Sequence, residues 1–356
     1  MSTFLPVVPN EVFDSVELGK SSKLARFELC QDQQFGFYLN SEYQSIEYDP
    51  DKYQNEQAHS QIFVQHLQTV LEKIVLRFGR HANVVEVGCG KGYFFGMLSD
   101  ENFTSLRGFD KTYQGDDKRI FKRYVSAYDM PLNADVLIMR HVLEHVQKPF
   151  EFLKELAEIN GKSCTFVIEV PATDWIIANA TLWDFTYEHV NYFTAESFRR
   201  LFGQCEVMSV FGSQYLLSFC SSDSLREGRT VDYRKTSLLS EMVRKFSKNT
   251  LFDFALKNKG RYWIWGGATK GILISYHLLR FDNGFARQPE GIIDINPAKQ
   301  GKYSAGTGIP IFSPAHFLTE VREGDTIFIV NPAYELEIME FISAASTKRV
   351  KIEVLS

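Results

Sequence analysis

Apolar residues recur at helical spacing from about residue 58 to residue 79. In AHSQIFVQHLQTVLEKIVLRFG, the residues Ile62, Phe63, Leu67, Val70, Leu71, Ile74 and Val75 fall on one face, and Gly79 is placed to stop the helix. Short apolar runs then alternate with helical periods. NVVEVG, SLRGFD, ADVLIMR and SCTFVIEVP predict strands, while GYFFGMLSD and KPFEFLKELAEIN predict helices, the second ending before Gly161. This alternation predicts a parallel sheet. TAESFRRLFG predicts a helix capped by Thr194 in a T-x-x-S variant of the capping box. CEVMSVFG and QYLLSFCSS predict a closing antiparallel pair.

The pattern changes on either side of this unit. Residues 1–57 have weak periodicity, with polar CQDQQ beside the aromatic runs FGFYLN and YQSIEY, and predict a short irregular N-terminal segment. Residues 222–258 are polar and mostly helical in pattern and read as a connector. From 259 to 356 the earlier rhythm resumes: RYWIWGG, PEGIIDINP and DTIFIVNP predict strands and TKGILISYHLLR a helix. The expected fold is α/β, with two Rossmann-like units at 58–221 and 259–356.

Composition narrows the class. Of 356 residues, 44% are hydrophobic and 23% charged, which excludes a disordered chain. A formal net charge of −5 argues against a nucleic-acid partner. No apolar run approaches the length of a membrane span, and the first residues lack the basic start and apolar core of a secretory signal. The five cysteines, Cys30, Cys89, Cys164, Cys205 and Cys220, form no C-x-x-C pair and read as reduced thiols of a cytoplasmic enzyme.

The candidate chemistry begins at Val84. VVEVGCGKGYFF places Gly88, Gly90 and Gly92 between a strand and a helix, where side-chain-free residues let main-chain N–H groups approach a ligand. Asp110 ends the next strand, at the distance expected of a ribose-binding acid. The bland alternative is a turn that needs glycine only for packing. The spacing is G-x-G-x-G with Glu86 two residues ahead, not the dinucleotide G-x-G-x-x-G, and it resembles motif I of the class I S-adenosylmethionine (SAM) methyltransferases. That resemblance implies that Gly88, Gly90 and Gly92 border SAM, that Glu86 helps hold its amino group and that Asp110 binds its ribose. ADVLIMRHVLEHV extends the likeness and implies that His141 and His145 lie near the cofactor and the methyl-transfer centre.

Nearly the whole chain resembles the three-part nucleotide-sugar C-methyltransferases, which methylate keto-deoxysugars. Four stretches carry this: YDPDKYQNEQAHSQIF from Tyr48 to Phe63, the glycine-rich domain, WDFTYEHVNYFT from Trp183 to Thr194, and WGGATKG with IIDINPAKQGKYSAGTGIPIFSP. Two departures stand out. The family's four-cysteine zinc module is reduced here to Cys30, with Phe35 where a second cysteine is expected; one thiol cannot hold zinc, so no metal is expected. The family's Tyr-His-Glu-His segment reads Thr186, Tyr187, Glu188, His189.

Methylating a carbon beside a ketone requires a base and an oxyanion stabiliser. His189 is the candidate base, with Glu188 to orient it or bind a hydroxyl, and Tyr187 and His145 as hydrogen-bond donors to the oxyanion. The same histidine serves O-methylation, so the residues alone leave carbon and oxygen open. A loop of packed aromatics is the alternative for this segment. Tyr53 and His59 align with a segment that borders SAM in the family, or simply pack. In the C-terminal unit, the turn GGATKG with Gly267 and Lys270, Asn296 of DINP and Asn331 of NPAY are candidates for the nucleotide of the substrate. The expected function is therefore SAM-dependent C-methylation of a nucleotide-linked keto-sugar. O-methylation of a sugar or other small metabolite and a non-catalytic SAM- or nucleotide-binding partner protein are the alternatives, and a dehydrogenase reading predicts NAD in place of SAM.

Overall fold

The computed structural model describes residues 2–49, 52–54, 56–228, 232–257, 260–281 and 286–355. The Tyr48–Phe63 stretch is therefore described in part, and the connector boundary at 258 and 259 lies outside the described residues.

The N-terminal segment holds strand β1 (Ser2–Pro6), β2 (Val12–Phe13), the short helix α1 (Val16–Lys20), β3 (Leu24–Asp32) and β4 (Tyr38–Asn40). It is more regular than its periodicity predicts. β1, β3 and β4 pair locally and antiparallel, and β2, β3 and β4 also take antiparallel partners from distant parts of the chain.

The central unit follows the predicted order. Helix α2 (Gln61–Phe78) is capped by Ser60 and ends at Gly79, and turns Phe63, Leu67, Val70, Leu71 and Ile74 inward. Then come β5 (Asn83–Val87), α3 (Tyr93–Asp100), β6 (Ser105–Phe109), an unpredicted edge strand β7 (Ile120–Phe121), β8 (Val136–Arg140), α4 (Pro149–Asn160), β9 (Thr165–Pro171) and α5 (Thr173–Asn179). The unit closes with β10 (Asn191–Tyr192), α6 (Ala195–Leu201), β11 (Cys205–Val210) and β12 (Tyr215–Ser221). The Thr194–Ser197 capping box is present. Seven strands lie in the order β11-β12-β9-β8-β5-β6-β7, parallel from β9 to β7, with β12 antiparallel to β9. Apolar side chains cover both faces of this sheet, as a parallel sheet requires.

Register overturns one expectation. Because β11 and β12 are antiparallel with Cys205 opposite Cys220, those two sulfurs form a disulfide rather than free thiols. Cys30, Cys89 and Cys164 are free and buried.

The connector contains β13 (Tyr233–Lys235), α7 (Leu238–Phe246) and α8 (Thr250–Leu256). The C-terminal unit follows with β14 (Tyr262–Trp265), α9 (Thr269–Phe281), β15 (Ile292–Ile293), β16 (Tyr303–Ser304), β17 (Ile311–Phe312), α10 (Pro314–Glu320), β18 (Thr326–Ile329), α11 (Glu335–Ala345) and β19 (Lys351–Val354). Its five-stranded sheet, β17-β15-β14-β18-β19, is wholly parallel. The N-terminal strands clasp both units. β4 pairs with β10, β3 with β13 and β2 with β16, and one apolar core runs from Phe27 through Trp183 and Tyr192 to Ile264 and Phe328.

Candidate active site

One glycine turn and one polar cluster meet where the units face each other, and a second glycine turn packs against the loop that carries the cluster. This second turn leaves β5. Gly88, Gly90 and Gly92 all have positive φ, at 75°, 54° and 84°. At Gly88 the need is also steric: a Cβ there would sit 2.3 Å from Val142 Cγ2. The turn thus lies directly against the loop that follows β8. Asp110 accepts a hydrogen bond from the Gly90 N–H at 2.8 Å and others from the Thr112 N–H and hydroxyl at 2.7 Å each.

The end of β8 and its neighbour β9 carry a buried charge network that the sequence did not announce. Glu169 accepts from Arg140 Nε at 2.6 Å and contacts His66 Nε2 at 2.5 Å. Burial would raise the Glu169 carboxyl, but Arg140 and His66 hold it well below the usual carboxylate range. His141 follows with a positive φ of 52°, and its Nδ1 lies 3.3 Å from Glu144 Oε1. Glu144 is fully enclosed. Burial would raise it too, but the hydrogen bond from His141 and the nearby His145 and His189 rings keep it below its ordinary value.

The loop after β8 and the stretch before β10 form one wall. His145 Nδ1 lies 3.0 Å from the Glu188 carbonyl, and the His145 and His189 rings stand edge to face with centroids 4.9 Å apart. Burial drives His189 down to about 3 and pushes the Glu188 carboxyl up to about 8. Glu144 Oε2, Glu188 Oε1, His189 Nδ1 and His141 Nε2 are buried without hydrogen-bond partners. Unpaired buried polar atoms are costly, so four along one wall mark a surface shaped for a polar ligand. Glu144, His145 and His189 also offer ligand atoms within 4.8 Å of one another, which suits a metal ion. Tyr187 does not join them. Its hydroxyl accepts from the Gln44 N–H at 2.9 Å and donates to the Glu42 carbonyl at 3.2 Å, so it ties down the N-terminal segment instead.

The other turn leaves β14. Gly271 opens α9 so close to it that a Cβ would lie 1.8 Å from the Gly266 carbonyl oxygen. Gly267 presents its carbonyl to Lys299 Nζ at 2.9 Å, and Asn10 Oδ1 accepts from the same ammonium at 3.0 Å. Lys299 is thus a buried amine held by two neutral oxygens; burial lowers its pKa, and the Asp294 carboxylate works against that. Sequence reasoning missed it, although it lies in the same DINPAKQG run. Lys270 is already engaged: it is paired with Asp184 and lies 4.9 Å over the Trp175 ring. Asn296 caps its own loop through the Ala298 N–H and does not line the cavity. Asn331 does line it and accepts from Gln214 Nε2 at 2.7 Å across the domain boundary.

A cavity of about 300 Å³ lies between the units; Glu86, Gly88, Gly90, Gly92 and Asp110 do not line it. Tyr53 and His59 border it, as do His141, Glu144, His145, Glu188 and His189 from the central unit. Lys270, Asp294, Lys299 and Asn331 face them from the C-terminal unit.

Comparison with known families decides what this arrangement belongs to. Residues 59–205 match the model of a methyltransferase domain, and residues 241–353 match that of a C-methyltransferase C-terminal domain. The chain carries a methyltransferase domain followed by a C-methyltransferase C-terminal domain. No curated protein sequence gives a significant match. Among solved structures, the plantazolicin methyltransferase BpumL in complex with a triazolic desmethylPZN analog and SAH aligns with a TM-score of 0.35 and 13% identity, over 46% of this chain and 85% of that one. A SAM-dependent methyltransferase from Archaeoglobus fulgidus gives 0.34 and 19%, over 42% and 73%. A possible histamine N-methyltransferase from Thermotoga maritima gives 0.34 and 16%, over 45% and 92%. These likenesses are partial, and the two family models carry the assignment.

The methyltransferase has groups that fit SAM. Glu86 is buried at the end of β5 with its Oε2 unpartnered, and burial pushes its carboxyl up to about 7, Arg140 pulling the other way. A ligand ammonium would satisfy that oxygen. The Gly88, Gly90 and Gly92 N–H groups are engaged by Phe109, Asp110 and Cys89 oxygens, so the glycines offer close approach rather than free donors, and Asp110, with three of about four acceptor positions filled, keeps one for a ribose hydroxyl. Among the described residues, no helix is long and apolar enough to cross a membrane.

Proposed function

We propose that this methyltransferase methylates a carbon beside the ketone of a nucleotide-linked sugar, in a cytoplasmic biosynthetic pathway. The observation that carries the proposal is the cavity itself, which sets Glu188, His189 and His145 opposite Lys299 and Asn331. We divide the work among four parts: a clasp at 1–57, the SAM-binding unit at 58–221, the connector at 222–258 and a nucleotide-binding unit at 259–356.

Bound SAM supplies an electrophilic methyl group on a sulfonium centre. The chain's own residues do the rest. His189 is neutral at physiological pH, so a ring nitrogen is free to take the α-proton of the acceptor. Its burial makes it a weak base, and the ionised Glu144 beside it offsets this by stabilising the imidazolium once the proton has moved. Glu188, largely protonated at neutral pH, donates to an acceptor oxygen. His145 is held by the Glu188 carbonyl with its other ring nitrogen left for the cavity. Lys299 supplies positive charge where an enolate oxygen develops. The low-polarity walls around Trp175, Tyr215 and Trp265 limit water near the enolate.

Calorimetric titration with SAM, then with dTDP, UDP, GDP and CDP, tests this. Binding of SAM plus one preferred nucleotide is the expected result. SAM binding with no nucleotide response would point to another small acceptor and remove the sugar from the proposal.

A further inference from the structure

We propose that Glu144, His145 and His189 form a binding site for one divalent transition-metal ion of the zinc class, and that occupancy of this site switches the enzyme off. The inference goes beyond methyl transfer and depends on no particular acceptor.

Three observations converge on it. One ligand atom from each residue lies within 4.8 Å of the other two, so a small contraction closes them around a single ion. Two of the three carry atoms left without partners: Glu144 Oε2, in a side chain with 1% exposure, and His189 Nδ1. The third, His145, is oriented as ligating histidines are. Its Nδ1 faces the Glu188 main-chain carbonyl at 3.0 Å, which fixes the proton there and leaves the Nε2 lone pair to bind.

The donor set selects the ion. Two imidazoles and one carboxylate suit zinc and its first-row neighbours, whereas magnesium and calcium prefer oxygen ligands throughout. The adjacent cavity leaves a fourth position open to water or substrate. The positions of the ligands follow from the fold. Glu144 and His145 sit on the tight turn after β8, and His189 is brought over them because the Val190 N–H donates to the Glu144 carbonyl at 2.7 Å.

Occupancy and proton transfer exclude each other. An imidazole that ligates a metal through one nitrogen keeps its proton on the other and has no lone pair left to act as a base. Zinc binding therefore competes with the role proposed for His189.

The test uses the full chain, stripped with a chelator and desalted, and titrated with cobalt(II) chloride. Visible d–d absorption reports coordination, and equilibrium dialysis with zinc sulfate gives stoichiometry. The expected result is a single equivalent of metal. Affinity should fall roughly tenfold to a hundredfold or more in His189→Asn and in Glu144→Gln, and stay unchanged in His81→Asn, which alters an exposed histidine elsewhere. Retained SAM binding and an unchanged melting temperature show that the variants are folded; should Glu144→Gln fail to fold, His189→Asn and His145→Asn carry the test. Absence of a cobalt spectrum in the native chain would overturn the proposal, as would affinity undiminished in the ligand variants. Because the readout is spectroscopic, this failure is distinct from a failure of the methylation reading, which would appear as no nucleotide response with the metal site intact.

Discussion

His145 Nδ1 lies 3.0 Å from the main-chain carbonyl of Glu188, joining the loop after β8 to the segment that precedes β10. This contact fixes His145, and with the bond from the Val190 N–H to the Glu144 carbonyl at 2.7 Å it holds His189 beside it. The Glu188 carboxyl, buried with one oxygen unpartnered, is tolerated because burial raises it to about 8 and leaves it largely neutral at pH 7.

Replacing His189 with Asn should remove the base and keep the shape. We expect turnover to fall by about 10²–10⁴-fold, with the dissociation constant for SAM unchanged. Single-turnover assays alongside calorimetry check this; a proportionate loss of SAM binding would assign His189 to the cofactor instead.

Gly88→Ala should damage cofactor binding. The position requires φ of 75°, and the added Cβ would meet Val142 Cγ2 at 2.3 Å. A left-handed non-glycine residue alone costs about 1–2 kcal/mol. We expect SAM affinity at least about tenfold weaker, the ratio corresponding to 1.4 kcal/mol, and a lower melting temperature. Unaltered SAM affinity would show that the turn does not contact the cofactor.

SAM affinity should depend on pH through Glu86. Burial raises this carboxyl to about 7, so the protonated form predominates below that value in the ligand-free chain. A ligand ammonium favours the carboxylate, so affinity should rise with pH up to about 7 and then level off. The same raised value means that ionising Glu86 without ligand costs stability progressively from its ordinary 4.5 to about 7. Glu86→Gln should bind SAM more weakly and flatten this limb of the profile.

Glu169 should govern acid stability. Its carboxyl is held below its ordinary value, chiefly by Arg140 against the opposing effect of burial. The stability it contributes is complete above the unfolded value of about 4.3 and is lost as pH falls below it. Glu169→Ala leaves Arg140 buried without its partner and should cost about 3–5 kcal/mol. Urea unfolding at neutral and acid pH separates the two effects; a variant as stable as the native chain would mean that water replaces the carboxylate.

Much of this was legible in the residues themselves. Helix α2, strands β5, β6, β8 and β9, the Thr194 cap and the glycines after Glu86 follow from periods and backbone demands that operate over a few positions, and the structure contains them at nearly the expected limits. The irregular reading of the first 57 residues was the main miss in the fold, because β3 and β4 take partners about two hundred and about one hundred and fifty residues away, and β1 pairs on β3. The Cys205–Cys220 pair was missed for a related reason: the antiparallel pair was visible, but its register was not.

In the site, the linear motifs supplied Glu188, His189 and His145, while only the tertiary structure brought them together and turned Tyr187 away to the N-terminal segment. It alone revealed Lys299, Glu144 and the Arg140–Glu169–His66 network, because a lysine or glutamate in a sequence reads as solvated surface until burial removes the water. Sequence determines what each backbone stretch can become, since conformational preference is local. The depth of each charge, and the partner that must balance it, are decided only when distant segments close over it.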